Sequence, residues 1–164
     1  MNWFRVLLDG VMVSAVFNLG VGLCMLIRPA AFTDMYPRDI QRIAPKMTKA
    51  DRRFEATMLL ILYPVLIAWM VLSAQEAGIE GFWPLFWTTY VQMMLVNLGD
   101  FFGLDWYFRE KMGHRLELPG TEGNELYSRR HWMRKLAIPE HWVMWPLLVC
   151  PLVSLLCAWL GGLF

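Results

Sequence analysis

Asn97, Asp100 and Asp105 place one amide and two carboxyl groups in an otherwise apolar run that ends at Trp106. A bilayer makes such groups costly, so they mark candidate functional sites. At about 100° per residue on a helix, Tyr90, Met93, Asn97 and Asp100 fall within ~80° of one another and form one stripe. Asp105 lies about 80° beyond Asn97 on the other side. A stripe of this kind can bind a cation, a proton or a polar headgroup. The structural alternative is that Asp100 neutralises Arg52 or Arg53 and Asn97 bonds across a helix interface. Glu55 is the other carboxylate able to reach the same depth. It either joins Asp100 or complements the positive N-terminal end of its own helix. The candidate ligand-binding residues are therefore Asp100, Asn97, Asp105, Glu55, Arg52 and Arg53.

Other chemistry is sparser. The three histidines are His114, His131 and His141, all in or beside one polar loop. His131 and His141 together with carboxylates form a mixture that can ligate zinc, iron or manganese, although their spacing matches no helical metal-site signature. They are the candidate metal ligands, and no cofactor is assigned. Cys24, Cys150 and Cys157 fall in apolar runs, where cysteine packs as a small hydrophobe. Gly99 and Gly103 form a small-xxx-small pair that would admit a neighbouring helix. There is no Gly-x-Ser-x-Gly elbow, P-loop or dinucleotide fingerprint.

The elements that must hold these residues are long apolar runs. The chain of 164 residues is 57% hydrophobic and 18% charged, with 9 Trp and 12 Met. A soluble domain would carry ~25% charge. Spans are expected at about residues 6–27, 56–74, 82–106 and 143–164, each near the ~20 residues that a crossing requires. The first is interrupted by Asp9, Ser14 and Asn18 and is too long for the h-region of a cleaved signal peptide, so a retained helix is expected. Thr48-Lys49-Ala50-Asp51 reads as a capping box opening the second span. Pro84 and Pro139 sit where helices can begin. Trp3, Trp83, Trp87, Trp106, Trp142, Trp145 and Trp159 lie at expected membrane borders, as an aromatic belt would. Pro119-Gly120 favours a type II turn. Residues 127–138 alternate apolar and basic positions at helical spacing, which suits a short helix lying on the cytoplasmic leaflet.

Charge gives orientation. Of the 15 basic residues, all but Arg5 lie in residues 28–53 and 109–135. Lys and Arg favour the cytoplasm, so both termini are expected on the non-cytoplasmic side of the plasma membrane, the inner membrane if the source is bacterial. The basic residues flank apolar runs and are interleaved with acids, which is no nucleic-acid footprint. The expected partners are the lipid bilayer and either further copies of the chain or another membrane subunit.

The pattern Asn97-x-x-Asp100-x4-Asp105-Trp106, followed by Pro119-Gly120-Thr121-Glu122, Tyr127 and His131, resembles one found in small four-span bacterial integral membrane proteins. It covers about a fifth of the chain. The resemblance implies a four-helix membrane fold and brings no activity with it. The acidic spacing is also similar in type to the aspartate-rich motifs of membrane prenyltransferases, which have about twice as many spans and a second acidic motif. The fold expected is an all-α integral membrane four-helix bundle, one polytopic domain, with a short cytoplasmic interfacial helix. Two functions fit. One is a binding or accessory/carrier component with a polar site at the cytoplasmic membrane interface. The other is a small membrane enzyme acting on a lipid or isoprenoid headgroup, with or without a metal.

Overall fold

The computed structural model describes residues 2–162, and these are helical almost throughout, with no strand among them. The expected last span reaches residues 163 and 164, which lie outside the described residues. Helix α1 is Trp3–Ile27. A 3-10 stretch, Pro29–Met35, and the short α2, Arg38–Ile43, lead to α3, Lys49–Glu76. Helix α4, Phe82–Gly99, continues through a wide π-wound stretch, Asp100–Phe108, into α5, Arg109–Leu116. After a loop come α6, Arg129–Trp132, two further π stretches, Met133–Ala137 and Glu140–Val149, and α7, Cys150–Gly161.

Among the described residues, three helices are long and apolar enough to cross a membrane: Trp3–Ile27, Lys49–Glu76 and Arg129–Gly161, each with a mean hydropathy of 2.1. Large apolar side chains stand bare along them, among them Leu19, Leu23, Leu60, Ile61, Leu147 and Leu152. A soluble protein rarely exposes so much apolar surface, whereas lipid is a good solvent for it. Helix α4 is not among the three. It packs between α1 and α7, and its Thr88, Thr89, Gln92 and Asn97 are buried. These polar side chains lower its hydropathy, and the two amides, Gln92 and Asn97, bond to neighbouring helices. Gln92 Nε2 donates to the Val6 carbonyl (3.2 Å) and to Ser73 Oγ (3.2 Å). On the facing helix, Asn18 Nδ2 donates to the Val96 carbonyl (3.2 Å) and Ser14 Oγ to the Leu95 carbonyl (2.9 Å).

Local signals set the helix ends. Thr48 and Asp51 form the expected capping box, and Asp51 also accepts from Arg28 Nε at 2.6 Å. Leu118–Thr121 is the expected turn: Thr121 N–H donates to the Leu118 carbonyl at 3.0 Å, and Gly120 has φ +80, a conformation that only glycine adopts readily. Glu122 beyond it is exposed. Backbone amides of the turn, its own first, hold its carboxyl below the usual range.

Several expectations change. The separate interfacial helix is instead the beginning of the 33-residue helix Arg129–Gly161. Its apolar side, Trp132 and Ala137, is buried while Arg129, Arg130, Arg134 and Lys135 are exposed. Pro139 therefore lies within a helix rather than opening one. It is tolerated because the winding is wide there, with Ile138 N–H reaching back to the Met133 carbonyl. Trp145 is buried against Phe17 instead of joining a belt. Gly99 does meet a neighbour, but Gly103 has open space. The close approach expected at Gly103 is made instead at Gly22 of α1, where Leu104 and Phe108 pack.

Candidate functional site

The site forms where the two π stretches face each other, Asp100–Phe108 on one helix and Glu140–Val149 on the other. A π turn closes i to i+5 rather than i to i+4, and π turns recur at functional sites. Each residue then rotates by roughly 80° instead of 100°. Three α steps and five π steps bring Asp105 within about 20° of Asn97, although a regular helix would separate them by about 80°. Both residues consequently reach the same imidazole.

That imidazole is His141, which is 3% exposed. Its Nδ1 lies 2.7 Å from Asn97 Oδ1, and its Nε2 lies 2.9 Å from Asp105 Oδ2. Asn97 Nδ2 donates to the His141 carbonyl at 2.9 Å. This last bond fixes the amide, so the Asn97 oxygen faces the ring and can only accept. Nδ1 must then carry a hydrogen. One further proton is shared on the other side, as Nε2–H to a carboxylate or as a carboxylic acid O–H to Nε2. Trp132 Nε1 donates to the second Asp105 oxygen at 2.9 Å. The rings of Phe101 and Trp145 flank the imidazole, with centroids 5.7 and 5.8 Å away.

Beside this clamp is a cavity of 70 Å³ lined by Asp100, Asp105, Glu140, His141 and Arg109, with Val21, Met25 and Leu104 among its apolar walls. That is room for a few water molecules. The Asp100 carboxyl has no hydrogen-bond or ion-pair partner among the described residues, and Glu140 has one long bond, from Trp145 Nε1 at 3.4 Å. A wider groove of 710 Å³ shares Met35, Leu136 and Glu140 with the cavity and runs outward past Arg38, Asp39 and Arg42. Glu140 therefore stands at the mouth between them.

The aromatic cap over the site is built by the loops. Arg109, on α5, lays its guanidinium 3.4 Å from the centre of the Trp132 ring. Tyr36 is buried and packs edge-on against Trp132, with centroids 5.2 Å apart, and its hydroxyl donates to the Leu116 carbonyl. Burial pushes that hydroxyl well above its ordinary range, so it remains a donor. Tyr127 accepts from Leu118 N–H at 2.9 Å, tying the Pro119-Gly120 turn to the same cap.

Asn97, Asp100 and Asp105 thus converge, and His141 is their centre. The other expected site residues stand elsewhere. Arg52 and Arg53 are exposed on the first turns of α3 and form no ion pair with Asp100. The buried acid beside a basic residue at that end is Asp51, held by Arg28. Glu55 is half-buried outside the cavity lining, and the charges acting on it are Asp34 and Arg52. His131 points to Asp39, its Nε2 3.5 Å from Oδ2, and does not meet His141. No three His, Cys, Asp or Glu side chains among the described residues form a group able to hold a metal ion. Sequence reasoning missed Glu140 and Arg109. Glu140 is next to Pro139, where a helix start was expected, and Arg109 reads as one more loop cation. No family model matches the chain, and neither a curated protein nor a solved structure matches it.

Proposed function

We propose that the chain is a small polytopic membrane protein acting as a binding or carrier component, and that its polar site on the cytoplasmic side takes up and releases a proton. The observation that carries this reading is the convergence of Asp100, Asp105, Glu140 and His141 on one 70 Å³ cavity. Among them, the Asp100 carboxyl has no protein partner within the described residues. The set can gain or lose protons without any member leaving the cavity, and the groove beyond Glu140 connects it to the surface. The sealed imidazole argues against the enzymatic alternative. Both ring nitrogens are occupied, so neither is free to act as a general base on a lipid or isoprenoid headgroup. His141 instead fixes the separation of the two helices and the orientation of Asp105.

The same proposal includes four crossings. Helix α4 spans about 27 Å in its α-wound part alone and lies along α1 and α7, which shield its polar side chains from lipid. An antiparallel four-helix arrangement then puts the two basic loops on one side. That side is cytoplasmic, both termini lie opposite, and the 97–131 pattern groups the chain with the small four-span proteins it resembles.

Infrared difference spectroscopy of the protein in nanodiscs, titrated across neutral pH, tests the site. The wild-type chain should show a carboxylic-acid C=O band that appears as pH falls, and Asp100→Asn should remove it while the helical amide signal is kept. An identical band in the variant would refute Asp100 as the exchanging group.

A further inference from the structure

Arg109 is 8% exposed, yet its Nη1 has no hydrogen-bond partner, and no carboxylate among the described residues forms an ion pair with it. Leaving a guanidinium buried and unpaired costs several kcal/mol unless something answers the charge. Trp132, 3.4 Å below the guanidinium, and Tyr127, 5.6 Å away, answer part of it through their ring faces. These contacts leave the in-plane N–H groups unused.

Arg109 also lines a second pocket, of 230 Å³, to which Trp106, Glu110, Tyr127 and Arg129 contribute and Asp100 does not. Its acids are engaged. Asp105 is held by Trp132 and His141, and Glu110 by Arg129 at 3.3 Å. Arg129 itself lies 4.7 Å over the Trp106 ring and is exposed, so it can turn from Glu110 to a second anion. The pocket thus presents one buried, unpaired guanidinium, one exposed guanidinium and aromatic walls. Phe102 and Tyr107, on the same segment as Trp106, are exposed at 50% and 66%. A planar guanidinium matches phosphate oxygens in a two-pronged geometry.

We propose that Arg109, with Arg129, forms a phosphate-binding pocket, filled by the headgroup phosphate of an anionic lipid or by a free phosphate. This goes beyond the proton site, and its test reads a different signal. The full chain would be held in nanodiscs of phosphatidylcholine doped with phosphatidylglycerol, and retained lipid counted by native mass spectrometry. In a second arm, inorganic phosphate would be titrated against the melting of the protein in pure phosphatidylcholine nanodiscs. The wild-type chain should retain one phosphatidylglycerol with a preference of about tenfold, as ~1.4 kcal/mol of charge-assisted bonding would give. Saturable stabilisation by phosphate alone would instead identify a free phosphate. Arg109→Gln should abolish whichever response is seen. Because that variant loses the cation–ring contact with Trp132, Arg109→Lys and Arg129→Gln serve beside it. Each should weaken binding severalfold while the unliganded protein keeps its helical signal and a cooperative melt. Arg134→Gln, an exposed charge outside the pocket, should have no effect. Equal losses in Arg134→Gln and Arg109→Lys would show bulk attraction to anionic lipid and overturn the proposal. So would wild-type binding in both Arg109→Lys and Arg129→Gln, or no saturable response in either arm.

Discussion

Gly99→Ala is the smallest change that tests how α1 and α4 are held together. A Cβ at this position would lie 2.1 Å from Ser14 Oγ and 2.6 Å from Asn18 Nδ2, so both side chains would have to move. Each currently donates to an α4 carbonyl, Ser14 to Leu95 at 2.9 Å and Asn18 to Val96 at 3.2 Å. Interhelical hydrogen bonds within membranes contribute ~0.6 kcal/mol each, and overpacking costs ~1–3 kcal/mol. Against this, alanine favours the helix over glycine by ~1 kcal/mol. The net expectation is a loss of about 1–3 kcal/mol, measured by reversible unfolding in mixed micelles of rising SDS fraction. Gly103→Ala is the internal control. Nothing lies within 4 Å of a Cβ there, so this variant should be neutral or stabilised by up to ~1 kcal/mol. Adding Ser14→Ala to Gly99→Ala removes the nearest clashing atom and should give a coupling energy of at least ~0.5 kcal/mol. If Gly99→Ala is as stable as the wild-type chain, or Gly103→Ala is equally damaged, the close α1–α4 contact at Gly99 is wrong.

Three further outcomes are expected. Asn97→Leu orphans both the His141 carbonyl and its Nδ1–H, each at ~1–3 kcal/mol, and the same SDS titration should show a loss of several kcal/mol; a shift below ~1 kcal/mol would mean that the clamp is not formed. Asp51→Ala removes the capping box and the Arg28 contact, so it should cost ~1–2 kcal/mol, with hydrogen exchange accelerated in the first turn of α3 and unchanged at Glu140–Val149. A reporter active only in the cytoplasm should stay silent when fused to the C-terminus and become active when inserted after Gly120, in the exposed turn within the second basic segment; the reverse pattern would invert the proposed orientation.

Periodicity, charge and caps were enough to place helices α1 and α3, the Thr48 cap and the Pro119-Gly120 turn, because each depends on residues close in sequence. The polar stripe of α4 was legible for the same reason: Asn97 and Asp100 are one turn apart. What the sequence did not reveal depends on winding. Asp105 looks misdirected when counted at 100° per residue, and nothing in residues 100–108 announces the wider turn. The clue on the partner helix is clearer in retrospect. Pro146 and Pro151 lie five apart, the interval of a π bond, so the Pro146 carbonyl loses the N–H that this winding would offer it. The hydroxyl of Tyr90 supplies the missing donor at 3.1 Å. His141 was read beside the second polar loop, near the same carboxylates but as a metal ligand paired with His131, and its bonds to Asn97 and Asp105 were not foreseen because they depend on the winding of both helices.

The two wide stretches explain why a polar centre can sit between otherwise apolar helices without unravelling them. Regular α-helices at this crossing would direct Asn97 and Asp105 to different neighbours, and an imidazole could satisfy only one. Widening the turn lets both reach His141, whose backbone carbonyl is bonded by Asn97 in turn. The bonds that π winding strains or loses are then offset by side-chain bonds across the crossing, from Asn97, Trp132 and Tyr90. Because these bonds occupy Asn97, Asp105 and the imidazole completely, they leave Asp100 and Glu140 as the groups in the cavity that remain available. The residues that build the centre and those that can exchange with it are therefore different, which is why substitutions at Asn97 should register mainly as stability and substitutions at Asp100 mainly as proton binding.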